Sequence, residues 1–185
     1  MPEIIHFRGS DKIIAKKNME KDVKATLEYV EDVLSGSLYR RELLAQALAE
    51  MGWREDGTLN ILEGRRYQFK GFKKGVAIEG NFSAYEYILE GLLRLQVGFA
   101  KGKIDMGILM LTSRRSEKSH LGTSAELARA EVEMLHPTIS LPVTVALFDL
   151  GPPMIPDEKG GEKNGSVSVS TDDKGKTPKA PTPQW

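Results

Sequence analysis

The chain has no cysteine, which excludes disulfides, thiol nucleophiles and every Cys-ligated zinc site. It also has no net charge. Lys and Arg number 26, as do Asp and Glu, so no overall field draws the protein to nucleic acid or membrane, and any basic surface must be local. Histidine is scarce, and His6, His120 and His136 fall in no ligand spacing. Each reads as structural or exposed. No apolar run approaches the length of a membrane span. The opening MPEIIHFRGSDK has neither the basic nor the apolar region of a secretory signal, so a soluble, cytoplasmic protein is expected. Neither a Walker pattern nor GxGxxG occurs, which argues against nucleotide-driven and dinucleotide-dependent chemistry. No Ser-His-Asp arrangement can be defended from spacing.

What remains divides near Gly151. From Pro152 to Trp185 the chain carries six of the nine prolines with scattered Gly, Ser, Thr, Asp and Lys. It has almost nothing to bury and is expected to be a disordered tail following a folded domain of residues 1–151. Trp185 is either an anchor for a protein partner or a solvated end.

The folded part mixes two periods. Ile4 to Phe7 suits a short edge strand. Val23, Leu27, Val30 and Leu34 predict a helix over 18–34. Ser37 is placed to cap a second helix bearing Leu43, Leu44, Ala47, Leu48 and Met51, with Gly52 as its stop. Leu59–Leu62, Tyr67–Phe72 and Val76–Phe82 then read as three strands of an antiparallel meander. Ser83 opens a third helix with Tyr87, Ile88, Leu92, Leu95 and Phe99 along one face. IDMGILML suits a buried central strand. Thr123 and Ser124 open a fourth helix, and PVTVALFDL supplies the last strand. Helices between buried strands mark parallel crossovers, so the expected fold is α/β or α+β with one mixed central sheet.

A turn at Lys74-Gly75 sets the register of the hairpin YQFKGFKKGVAIEGNF. It pairs Lys73 with Val76, Phe72 with Ala77, Gly71 with Ile78 and Lys70 with Glu79. The last pair is a cross-strand ion pair contributing roughly 0.2–1 kcal/mol.

The run from VAIEGNF through the third helix to GFAKGKIDMGILML, with the order and spacing of its motifs, resembles the BglII-type (BamHI-like) restriction endonucleases of the PD-(D/E)xK nuclease superfamily. The resemblance spans roughly residues 40 to 150. It implies a type II, magnesium-dependent deoxyribonuclease fold, a homodimer and double-stranded DNA as partner. Glu79 matches the second metal-binding acid of that pattern, and Asn81 the residue that orients the attacking water. The first acid is expected nine residues before Glu79, and Lys70 stands there. An ammonium offers magnesium no lone pair. At about 4 Å and an effective dielectric near 20 it repels each unit of metal charge by on the order of 4 kcal/mol. Glu63, or Glu42 from the second helix, is the candidate replacement ligand.

Three readings follow: a DNA-binding relative in which Lys70 pairs with Glu79 and cleavage is lost, an active endonuclease with a rearranged acid pair, and a non-catalytic protein-interaction module. Asp105 matches no ligand position and reads as a buried acid held by hydrogen bonds. Lys73 and Lys74, with Arg65, Arg66, Lys101 and Lys103, are candidate phosphate contacts or a solvated face. The loop TSRRSEKSHLGTS, carrying Arg114, Arg115 and Lys118 after a central strand, is the expected DNA-facing segment.

Overall fold

A computed structural model describes residues 1–80, 82, 88–113 and 122–152. In chain order the elements are β1 (Glu3–Phe7), α1 (Ser10–Lys16), α2 (Glu20–Leu34), α3 (Arg40–Glu50), β2 (Gly71–Lys73), β3 (Val76–Gly80), α4 (Ile88–Ala100), β4 (Met106–Thr112), α5 (Ala125–Met134) and β5 (Val143–Phe148). The five strands form one sheet in the order β1-β5-β4-β3-β2. β3, β4 and β5 are parallel neighbours, and β1 and β2 close the two edges antiparallel. The sheet is mixed, as the pattern of helices between apolar strands predicts.

β4 is buried over its first six residues because parallel strands lie on both sides and helices on both faces. The two crossovers, α4 and α5, pack on the same face, where Ala77, Leu109 and Val145 meet Leu92, Leu95, Ala128 and Val132. Successive right-handed crossovers that step in one direction across a sheet must fall on one side. The opposite face carries Val76, Ile78, Ile108 and Phe148 against Ile14 of α1 and the apolar stripes of α2 and α3. Val23, Leu27, Val30 and Leu34 are the buried stripe of α2 that the sequence period predicts. Each such side chain taken fully out of water contributes about 1.5–3 kcal/mol.

Local chemistry corrects several expectations. α1 escapes the sequence reading because seven residues carry only Ile13 and Ile14 as large apolar side chains. Ser37 does not cap α3: the N-cap is Tyr39, whose N–H donates to Ser37 Oγ at 3.1 Å. Ser124 does cap α5, accepting from the Leu127 N–H at 3.2 Å. The three-strand meander shrinks to a hairpin, β2–β3, preceded by an isolated bridge between Asn60 and Gln68. Phe69 and Ile61 are buried there, yet the β2–β3 register ends at Gly71↔Ile78, where the Lys70 N–H also donates to Ile78 O. Ser83, Tyr87 and the tail from Pro153 lie outside the described residues. Among the described residues no helix is long and apolar enough to cross a membrane.

Candidate functional site

Lys74 and Gly75 form the turn at φ 49° and 80°, the paired positive values of a type I′ hairpin. The predicted register holds for Lys73↔Val76, Phe72↔Ala77 and Gly71↔Ile78. It ends there. The Lys70 N–H donates to Ile78 O at 2.9 Å, and the Lys70 carbonyl accepts from Arg54 Nη1 at 2.6 Å.

Glu79 is the fourth residue of β3. Strand alternation puts it on the Ala77 face, toward α4, and it is only 3% exposed. α4 presses close to the sheet because two glycines face it. A Cβ on Gly91 would stand 2.5 Å from Leu109 Cδ1, and one on Gly98 would stand 2.5 Å from Phe69 Cζ. That approach delivers Arg94 to the acid. Its Nε donates to Glu79 Oε1 at 2.9 Å, and its Nη2 donates to the carbonyl of Gln68.

Burial pushes the Glu79 carboxyl above the ordinary carboxylate range. Arg94 and then Lys70 pull it down by less, and the charge of Glu90 adds to the rise. The ion pair assigned to Lys70 therefore comes from Arg94, and Lys70 acts on the acid only through space. Sequence reasoning missed Arg94, although a signal existed: it is the only cation in ILEGLLRLQVGFA. A lone guanidinium in an apolar helix that crosses over β3 needs an anionic partner.

The remaining candidates scatter. Glu63 is exposed and lines an open cavity of about 440 Å³ with Asn60, Phe72 and Lys103. Glu42 is exposed on α3, across the sheet from Glu79, because α3 packs on the opposite face. Among the described residues no group of three His, Asp or Glu is placed to hold a metal ion. Asp105 is exposed instead of buried, its side chain 61% accessible, and pairs with Lys17 at 2.5 Å. Lys73 is not a free phosphate contact. Its Nζ meets Asp22 at 2.7 Å, donates to Met51 O at 3.3 Å and lies 5.7 Å from the Trp53 ring centre. Lys74 is exposed at the hairpin tip, the edge of the sheet away from Glu79. Asn81 and Arg114, Arg115 and Lys118 lie outside the described residues. The chain leaves β4 toward these three cations at the edge where β3 ends, since Gly80 pairs with Met110.

A mixed sheet of this order, with an acid near the end of β3 and crossover helices on one face, is a restriction-endonuclease-like fold. The chain is similar to restriction endonuclease BglII in its crystal structure with a DNA 16-mer, with a TM-score of 0.58 and 14% identity over 80% of this chain and 76% of that one. It is also similar to free BglII, with a TM-score of 0.52 and 14% identity over 80% and 79%. At that identity the likeness is one of fold. No protein-family model and no curated protein matches the chain.

Proposed function

We propose that this chain is a duplex-DNA-binding protein on a restriction-endonuclease-like fold in which Glu79 does not serve hydrolysis. One observation carries the reading: the buried Glu79 carboxylate is engaged by the Arg94 guanidinium at 2.9 Å. Magnesium takes near-octahedral oxygen ligation, commonly one or two carboxylates with waters and phosphate. A single carboxylate, already paired to one cation and lying in the field of Lys70, does not fit that ion. Fold and substrate-facing surface can outlast the loss of such a site, because they rest on packing and on exposed cations. Supporting DNA as the partner are the BglII complex with DNA and the exposed Arg65 and Arg66 on the loop leading to Gln68.

The test combines fluorescence anisotropy on duplex DNA with nicking of supercoiled plasmid in magnesium and in manganese. Salt-dependent binding without nicking is expected, with Glu79→Gln binding as the wild type does. Nicking that disappears in Glu79→Gln overturns the non-catalytic part, and absence of duplex binding overturns the DNA part.

A second reading, hydrolysis by a rearranged acid pair, draws on one observation. Glu90 lies one turn before Arg94 on α4, the helix that faces Glu79, and its charge acts on that acid. Under that reading nicking would vanish in Glu90→Gln as well.

The expected homodimer has a candidate surface on the crossover helices. Leu89 and Leu93 of α4 and Leu127 and Met134 of α5 are exposed, and a groove of about 590 Å³ runs beside Ile88, Leu89, Leu127 and Met134. Exposed apolar stripes on adjacent helices suit an isologous contact. Sedimentation of Leu93→Arg and Leu127→Arg variants tests it: a dimeric wild type with monomeric variants supports the interface.

A further inference from the structure

Residues 59–61 run antiparallel to residues 67–69 and close on a short turn. The Ile61 N–H donates to Tyr67 O and the Phe69 N–H to Leu59 O, both at 2.8 Å, and the Gln68 side-chain amide donates to Asn60 Oδ1 at 3.1 Å. The turn is held by the Arg65 N–H on Leu62 O at 3.3 Å, with Gly64 at φ 67°, a value that favours glycine. Ile61 and Phe69 are buried and anchor the base of this hairpin, while Arg65, Arg66 and Tyr67 are exposed at its end. Tyr67 is 55% exposed. Glu63, the one acid of the turn, lines the cavity that Lys103 shares. Among the described residues neither the Arg65 and Arg66 guanidiniums nor the Tyr67 hydroxyl has a hydrogen-bond or ion-pair partner. The backbone under the ring is fixed all the same. Ile61 holds the Tyr67 carbonyl, and Arg94, the residue paired with Glu79, holds that of Gln68.

We propose that this turn is a base-stacking element: the Tyr67 ring covers the open face of an unpaired nucleobase while Arg65 and Arg66 take neighbouring phosphates. The preferred partner is then a duplex interrupted by an unpaired base, a deepening of the DNA-binding reading above that rests on it. Inside an intact duplex each base is covered on both faces by its neighbours. An aromatic side chain gains a stacking contact only where a face is open. Phenol and guanidinium supply the two things such a site needs, a flat apolar face and charge for the backbone. A ring carried on a fixed backbone also has little freedom to lose on binding. Exposure alone does not select Tyr67. Tyr39 is more exposed, at 71%, but Arg40 beside it is spent on the carbonyls of Leu150 and Gly151. It also stands at the start of α3, on the other face of the sheet from α4.

The test uses the full chain and fluorescence anisotropy on two labelled duplexes of one sequence, one fully paired and one carrying a single bulged adenine. Wild type is expected to bind the bulged duplex more tightly, by roughly 5- to 100-fold for one stacked base. That comparison needs no variant. Tyr67→Ala is expected to lose the preference and keep its affinity for the paired duplex. Tyr67→Phe is expected to keep the preference, and Tyr39→Ala to change neither affinity. A bulge also bends DNA, and a preference that came from bending would survive Tyr67→Ala. Equal affinity for the two duplexes, or a preference that survives Tyr67→Ala, overturns the proposal and leaves DNA binding standing. Absence of binding to either duplex overturns both.

Discussion

Arg94 reaches from α4 to Glu79 of β3, Nε to Oε1 at 2.9 Å, across the position where strand register alone would put Lys70. The two partners differ in exposure, 26% for the Arg94 side chain and 4% for that of Glu79. Removing one partner of a fully buried pair costs about 3–5 kcal/mol, because the other charge is left in a medium that cannot solvate it. Water reaches the Arg94 end, so about 2–3 kcal/mol is expected for Arg94→Leu. The double variant Glu79→Leu/Arg94→Leu is expected to be more stable than Arg94→Leu alone, since no charge then remains buried. Urea midpoints of the four proteins close the cycle. Strict additivity would mean that the two groups do not interact in solution.

The same burial predicts the sign of a pH effect. The folded-state pKa of Glu79 is raised above its ordinary 4.5, by desolvation first, against the opposing charges of Arg94 and Lys70 and with help from Glu90. A raised pKa means that the folded state holds the proton more tightly than the unfolded chain. The contribution of Glu79 is therefore fully present below the unfolded value and lost as pH rises through the folded one. Relative to Glu79→Gln, which cannot titrate, wild type is expected to lose stability over that window and then to level off. Urea unfolding of both proteins from acid to neutral pH reads the difference directly. A difference that grows in favour of wild type as pH rises would reverse the sign and place the pair charges above desolvation.

Lys73 separates structural cations from DNA-facing ones. Its ammonium lies between Asp22, Met51 O and the face of Trp53. Trp53 is fully buried and donates from Nε1 to Thr26 Oγ1 at 2.9 Å. Lys73→Met keeps the aliphatic length and removes the charge, so a loss of about 1–2 kcal/mol is expected from the severed hydrogen bonds and ring contact. The salt dependence of DNA affinity is expected to be unchanged. Trp53 sits beside the substitution, so unfolding followed by circular dichroism keeps the stability reading independent of indole emission.

Most of the fold was legible in the sequence because the signals were periodic. The stripe of α2, the central run MGILMLT and the Ser124 cap each need only local chemistry, and so does the Lys74-Gly75 turn. Crossover helices between apolar strands then imply a mixed sheet. What was not legible depended on distance in three dimensions. Register arithmetic predicts a Lys70–Glu79 pair but cannot see Arg94 arriving from α4 to take Glu79, or Arg54 and Arg94 donating to the carbonyls of Lys70 and Gln68. Nor can spacing reveal that Asp22 and Trp53 capture Lys73, or that Lys17 captures Asp105. Those partners lie on α2 and α4 or just after α1 and α3, and only the packing of these helices on the sheet brings them in.

The topology also divides the remaining candidate cations. Arg65 and Arg66 belong to the loop that leads to Gln68, beside the Arg94–Glu79 pair, and Arg114, Arg115 and Lys118 follow β4 from the edge where β3 ends. Lys74 stands at the hairpin tip on the other edge, where its carbonyl accepts from Lys17 at 2.8 Å. A phosphate contact releases counterions, so each one steepens the dependence of log K on log salt by about 0.9 for duplex DNA. Replacing Arg65 and Arg66 together by alanine is expected to flatten that slope by about 2. Replacing Arg114, Arg115 and Lys118 together is expected to flatten it by about 3 on the same count. Lys74→Ala is expected to leave it unchanged. Anisotropy titrations on one duplex across a salt series measure all three. A slope that responds to Lys74 and ignores the arginines would put DNA at the hairpin edge, away from Glu79, and would break the link between this protein's acid and its nucleic-acid surface.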